Sequence, residues 1–234
     1  EAQTEAPTPG ENESQSQATG ADSTETSTEP EPTEPETTPP ATEEAVDHEK
    51  RNFIVCLDAG HGGKHPGAIS ASGLREKDVN LSMVNEVKAL LEAKGATVVL
   101  SRDADQDMTM ADRKKVFKDA EVDLMISIHN NSGGSPLVEM GSCTAYKHVV
   151  NRELAAKMQN RLTELGHKNF GLIGNFNFSL NAPTEYPNVL LEVLFMSSLP
   201  EEEKLADKSY HKKVAKQVVL ALEDYLKDVK KSQK

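Results

Sequence analysis

The chain of 234 residues has no tryptophan, and its six Phe and four Tyr all lie from Phe53 onward. Aromatic core material is therefore absent from the first fifty residues. Two cysteines, Cys56 and Cys143, are too few for a disulfide framework. Each sits in an apolar or strand-like run, where a small buried side chain is expected rather than a bridge. No apolar run approaches the roughly eighteen residues of a membrane span, so none is expected in this chain. Nucleotide loops are missing as well: the glycines around His61 lack the Lys-Ser/Thr pair of a P-loop, and their spacing does not fit a dinucleotide fingerprint.

Basic residues are absent from residues 1 to 47, which carry thirteen acids, seven of the twelve prolines and no apolar residue larger than Val46. Such a segment cannot bury enough surface to offset its chain entropy. Residues 1–50 are predicted to be a disordered acidic Thr/Pro/Glu-rich tail or linker. The net charge of −12 follows from it, since the remaining residues hold 25 acids against all 26 bases. Acidity overall argues against a nucleic-acid partner. Tracts of this composition often serve as extended stalks outside cells. A chain opening at Glu1 is expected to be a mature form whose export signal has been removed.

Residues 51–230 are predicted to form one domain of ordinary apolar content. Phe53–Leu57 reads as a buried strand closed by the glycine loop Asp58-Ala59-Gly60-His61-Gly62-Gly63. Leu81, Val84, Val87, Leu90 and Leu91 recur at helical spacing from Asp78 to Lys94, with Gly95 placed as a stop. Thr97–Leu100 is a second strand, and Thr109 with Asp112 makes a capping-box signal for a helix through Ala120. Asp123–Ile128 is a third strand running into His129-Asn130-Asn131, and Gly141–Tyr146 a fourth. Asn151 is placed to cap a helix carrying Leu154, Ala155, Met158, Leu162 and Leu165, and 166–186 reads as irregular. Val189–Leu194 is a fifth strand, Ser198 with Glu201 signals a capping box, and a last helix is expected from Ser209 to about Lys227. This alternation predicts an α/β fold: a three-layer single domain with an open, mostly parallel twisted sheet flanked by helices.

In such sheets ligands gather beyond the carboxyl ends of the strands. The first strand leads to His61, the third to His129, and the fifth carries Glu192 among Leu190, Leu191, Val193 and Leu194. Glu76 is expected in the loop between the first strand and the first helix. Two imidazoles and a carboxylate with an open fourth position make a catalytic zinc site, and His61, Glu76 and His129 could be that set. Glu192 could be the free carboxylate that moves protons, because a charged carboxylate among apolar residues is costly without a partner or a task. His65 stands four residues from His61, but Gly62, Gly63 and Pro66 oppose a helix there. His48, His148, His167 and His211 have no comparable setting.

Over about residues 53–227 the sequence resembles the zinc-dependent N-acetylmuramoyl-L-alanine amidases of type 3. Asp58–Gly63 with Pro66-Gly67-Ala68 is similar to the family's first ligand block, Glu76–Leu81 to the second, and Ser127–Asn131 to the third. Ser101–Asp105 and Arg113 resemble two intervening segments, and Pro187–Glu192 resembles the block with the catalytic glutamate. The resemblance implies one catalytic zinc on His61, Glu76 and His129, Glu192 as general base and acid, and a substrate contact at Asn131. It implies hydrolysis of the amide between N-acetylmuramic acid and L-alanine in peptidoglycan by a monomer at the cell envelope or outside a bacterium. His65, Leu194 and Ser198 stand where the family usually has Asp, Gly and Asn. The segment before Pro187 offers Asn181 and Glu185 in place of an arginine. Residues 134–140 are too few for an autoinhibitory helix, so an open site is expected. Alternatives are a zinc peptidase or carboxypeptidase acting on stem peptides, with Arg102 or Arg113 holding a terminal carboxylate, and a non-catalytic wall-binding module.

Overall fold

A computed structural model describes residues 52–233; the expected tail and His48 lie outside the described residues. Strands β1 (Ile54–Ala59), β2 (Thr97–Leu100), β3 (Leu124–Asn131), β4 (Ser142–Ala145), β5 (Asn169–Ile173) and β6 (Asn188–Phe195) form one sheet in the order β2-β1-β3-β6-β4-β5. Neighbours from β2 through β6 are parallel, β4 runs antiparallel to β6, and β5 is parallel to β4. The helices are α1 (Glu76–Glu92), α2 (Met110–Asp119), α3 (Arg152–Thr163), α4 (Leu199–Ala206) and α5 (Lys208–Ser232).

Strand residues alternate between two cores. Val55, Leu57, Leu124, Ile126, Val189 and Leu191 pack against the apolar stripes of α1, α3 and α5. Cys56 and Met125 turn the other way, to Phe117 of α2 with Val122 and Leu180. Helical residues thus cover both faces of the central strands, which explains their continuous apolar runs. The three layers and the mostly parallel sheet agree with the sequence expectation. Both cysteines are free and buried.

Several boundaries differ. β5 falls within the stretch read as irregular: Asn169, Phe170 and Gly171 give it no apolar alternation, and as an edge strand it needs none. β3 continues through His129, Asn130 and Asn131 because their backbone still pairs with β6, so His129 lies inside a strand rather than beyond it. Glu76 is the first residue of α1, not a loop residue. Thr109 and Asp112 do form a reciprocal capping box. Ser198 and Glu201 do not: the Glu201 carboxylate accepts the N–H groups of Met140, Gly141 and Phe195, and the Ser198 hydroxyl donates to Val138 O. Asn151 ends a short 3₁₀ turn and offers no capping hydrogen bond.

Candidate metal centre and active site

Three elements deliver three side chains to one point at the carboxyl edge of the sheet. β1 ends at Ala59, and the backbone turns sharply at His61, whose φ of 62° lies in the left-handed region. That conformation is strained by about 1–2 kcal/mol for a residue with a Cβ, so surrounding contacts must enforce it. His61 Nε2 stands 3.1 Å from Glu76 Oε2, and His129 Nδ1 stands 3.1 Å from Glu76 Oε1. One donor atom from each of the three residues lies within 4.8 Å of the others.

Glycines make room for this convergence. A Cβ on Gly60 would fall 2.3 Å from His129 Cε1, inside the ring's contact surface. Gly67, at φ 70°, lies so close that a Cβ would meet Glu76 Oε2 at 2.4 Å. The carboxylate of Glu76 is held on its far side by Ala68 N at 2.9 Å, Asn130 N at 3.1 Å and Asn80 Nδ2 at 3.1 Å. Burial alone would raise its pKa. Hydrogen bonds from His129 and His61 outweigh that and hold it well below the usual carboxylate range. Glu76 is therefore an anion facing two imidazoles, a donor set that suits a divalent metal with nitrogen and oxygen preferences.

Two buried arginines hold the loop beneath His61. Arg102 donates from Nε to Ala59 O and from Nη2 to Gly60 O and Lys77 O, at 2.8–3.0 Å. Arg113 donates from Nη1 to Asp58 Oδ1 at 2.5 Å and to Ala59 O at 2.8 Å, and from Nη2 to His61 O at 2.5 Å. Asp58 also accepts from Ser127 Oγ at 2.6 Å. Each arginine is 2% exposed, so neither is free to hold the terminal carboxylate that a carboxypeptidase would need.

Glu192 completes the constellation. On β6 it pairs in register with His129 of β3 on one side and Cys143 of β4 on the other. It is half-buried, and its Oε2 has no hydrogen-bond partner among the described residues. Burial pushes its pKa up to about 7, against a lowering by His129. A carboxyl group that titrates near neutrality beside an anionic metal-binding set is equipped to accept and return protons.

A family model for N-acetylmuramoyl-L-alanine amidases, Amidase_3, matches residues 55–224. The chain belongs to that amidase family. The uncharacterised protein YqiI of Bacillus subtilis is 31% identical over 173 residues, 73% of this chain and 84% of YqiI. The amidase AmiC of Neisseria meningitidis serogroup B is 26% identical across 75% of this chain, which spans about half of AmiC, 53%. The solved catalytic domain of CwlV, an amidase from Bacillus (Paenibacillus) polymyxa, superposes with a TM-score of 0.70 at 32% identity, covering 75% of this chain and 98% of that one.

Relative to this amidase frame, His61, Glu76, His129 and Glu192 are gathered as the strand-end reading expected. His65 is exposed on the glycine loop, away from the donor set. Asn131 Oδ1 accepts Ser132 N at 2.7 Å, and its side chain also meets the Cys143 thiol, the register partner of Glu192. His148 bonds Ala182 O, His167 bonds the Tyr210 hydroxyl, and His211 bonds Ser82 Oγ and Leu205 O; all three are structural. Sequence reasoning missed Phe178, whose ring meets the His129 ring edge-on at 5.8 Å. It also missed Asn80, although its place four residues after Glu76 on α1 was a usable signal. Asn181, which stands where an arginine was expected, is buried against Asn188. Loop residues 132–141 contain no helix.

Proposed function

We propose that residues 51–230 are a zinc-dependent N-acetylmuramoyl-L-alanine amidase that hydrolyses the amide between N-acetylmuramic acid and L-alanine in peptidoglycan, outside the cytoplasm. The observation that carries this reading is the convergence of His61, His129 and both Glu76 oxygens beside a carboxyl group with an unpartnered oxygen. His61, Glu76 and His129 would hold the zinc, in the His₂Glu pattern of catalytic sites that keep a position open. Bound there, zinc supplies Lewis acidity toward a carbonyl oxygen and makes water a stronger acid.

The chain's own residues supply the rest. The Glu192 carboxylate, beside His129 in the sheet, takes the proton of the attacking water and returns it to the departing amine of L-alanine. In the metal-free site burial raises its proton affinity above that of an ordinary carboxylate, which suits a group that both accepts and returns a proton. Asn80, Ala68 N and Asn130 N hold Glu76 so that its charge stays fixed between the two rings. Arg102 and Arg113 hold the carbonyls of residues 59–61, which keeps His61 in its strained turn. Phe178 packs its ring against that of His129 and helps fix the imidazole's orientation. The described residues contain no helix long and apolar enough to cross a membrane, and the substrate reading places the protein at the bacterial envelope.

Elemental analysis beside a muropeptide digest tests the metal assignment. Purified protein is expected to carry about one zinc per chain. A strong chelator should abolish cleavage, and added zinc should restore it. Full activity of protein shown to be free of metal would overturn the reading.

A further inference from the structure

Toward the far end of α1 from Glu76, α1 and α5 leave a groove of about 440 Å³ between them. Its floor is apolar, made by Leu90 of α1 with Val219 and Leu220 of α5, and its rim carries Lys94, Lys212 and Lys216 with one acid, Glu86. Lys94 pairs with Glu223, but among the described residues neither Lys212 nor Lys216 has an acid within ion-pair distance. From Lys208 to Leu222 the α5 sequence contains no Asp or Glu, and Lys208, Lys212, Lys213 and Lys216 are all exposed. Farther along α5, Asp224 pairs with Arg161 and Lys227, and Asp228 with Lys157 and Lys231. Lys212 and Lys216 thus bring positive charge with no ion-paired acid beside the apolar floor.

We propose that this groove seats an acyl chain and its phosphate headgroup, making the α1–α5 face a docking site for an anionic phospholipid membrane. Charge complementarity selects the phosphate: lysines near a surface each add attraction to anionic lipid, and their methylene stems can lie on apolar surface while the ammonium stays at the headgroup. The floor selects lipid over a soluble phosphate polymer, which would leave Leu90 and Leu220 in water. It selects an acyl chain over a partner helix, which needs a row of anchors spread over successive turns rather than three apolar side chains in one spot. Val219 on the groove floor belongs to the core beneath α1 and α5, whereas His129 and Glu192 fall on the alternate strand positions shared with Cys56 and Met125. Glu76 stands at the first turn of α1 and the groove lies along its last turns, so docking there leaves the donor set around Glu76 uncovered.

Flotation of the full chain with vesicles of phosphatidylcholine alone, or of phosphatidylcholine with phosphatidylglycerol, tests the site. Binding is expected only with phosphatidylglycerol, and a Lys212→Glu/Lys216→Glu double variant should bind about tenfold more weakly or worse. Leu90→Ser, at a position already 36% exposed, should also weaken binding at fixed ionic strength. Cleavage of soluble muropeptides by these variants should stay at the parent rate, which separates loss of docking from loss of folding. Equal binding to both vesicle types, undiminished binding by either variant, or full displacement by soluble glycerol phosphate at matched phosphate would each overturn the proposal.

Discussion

Glu192→Gln is expected to retain its metal and lose turnover by about 10²–10⁴-fold, the range for removing a general acid–base group. The substitution keeps shape and polarity, so the neighbouring donor set of His61, Glu76 and His129 is left in place. Zinc content measured beside the rate of muropeptide cleavage separates the two roles: a ligand variant such as His129→Ala should lose both. Near-parental turnover of Glu192→Gln would remove the residue from the chemistry. Stability gives an independent reading of the same side chain. Its folded pKa is raised to about 7, so the folded state of the metal-free protein holds the proton more tightly than the unfolded chain. Stability is therefore lost as pH rises from the ordinary carboxylate range toward 7. Metal-free Glu192→Gln should escape that loss and unfold at pH 7.5 no more easily than the parent, with a gain of up to about 1–3 kcal/mol. A variant clearly less stable than the parent would show that the carboxylate is a structural partner instead.

Arg113→Met is expected to destabilise the protein by about 3–5 kcal/mol, the cost of leaving a buried ion without its partner. Asp58 is 1% exposed and Arg113 2%, and the pair sits directly under the loop that carries His61. Burial alone would raise the Asp58 pKa; Arg113, His129 and the Ser127 hydroxyl together hold it below its ordinary value. The sign for a depressed carboxylate is that its contribution is present at neutral pH and is lost as pH falls through the carboxylate range. The parent should therefore lose stability on acidification more steeply than Arg113→Met, as urea unfolding at several pH values would show. Turnover should fall too, because Arg113 also holds the carbonyls of Ala59 and His61. Pairing the change with Asp58→Asn should recover part of the stability, since the uncompensated charge is then gone. A single variant that unfolds like the parent would mean that the buried pair contributes nothing.

How far the sequence could be read depended on what carried each signal. The strand-end rule found His61, His129 and Glu192 because short apolar runs mark the strands and the polar residues at their ends stand out. Glu76 was found from its neighbourhood, but its place as the first residue of α1 was not, since the apolar periodicity begins only at Val79. β5 escaped notice because an edge strand with Gly171 and exposed Phe170 lacks the alternation that betrays a half-buried strand. The polar run of His129 to Asn131 masked the last residues of β3, whose pairing with β6 is a property of backbone rather than side chains. The sequence could place Arg102 and Arg113 only near the motifs, as candidates to hold a terminal carboxylate, for a related reason: most of their acceptors are main-chain carbonyls of the His61 loop, which no residue pattern displays. Glu201 shows the same effect, its capping signature being overruled by three backbone N–H groups converging from β6 and the loop before β4.

The most direct test is the identity of the bond that is cut. Muropeptides with intact glycan and stem peptide, digested with the full chain and resolved by mass spectrometry, should yield N-acetylmuramic acid with a free lactyl carboxylate. The other product should be stem peptides with a new amino terminus at L-alanine, and neither should form in the presence of chelator. Cleavage confined to bonds within the stem peptide, with the lactyl amide left intact, would contradict the amidase assignment.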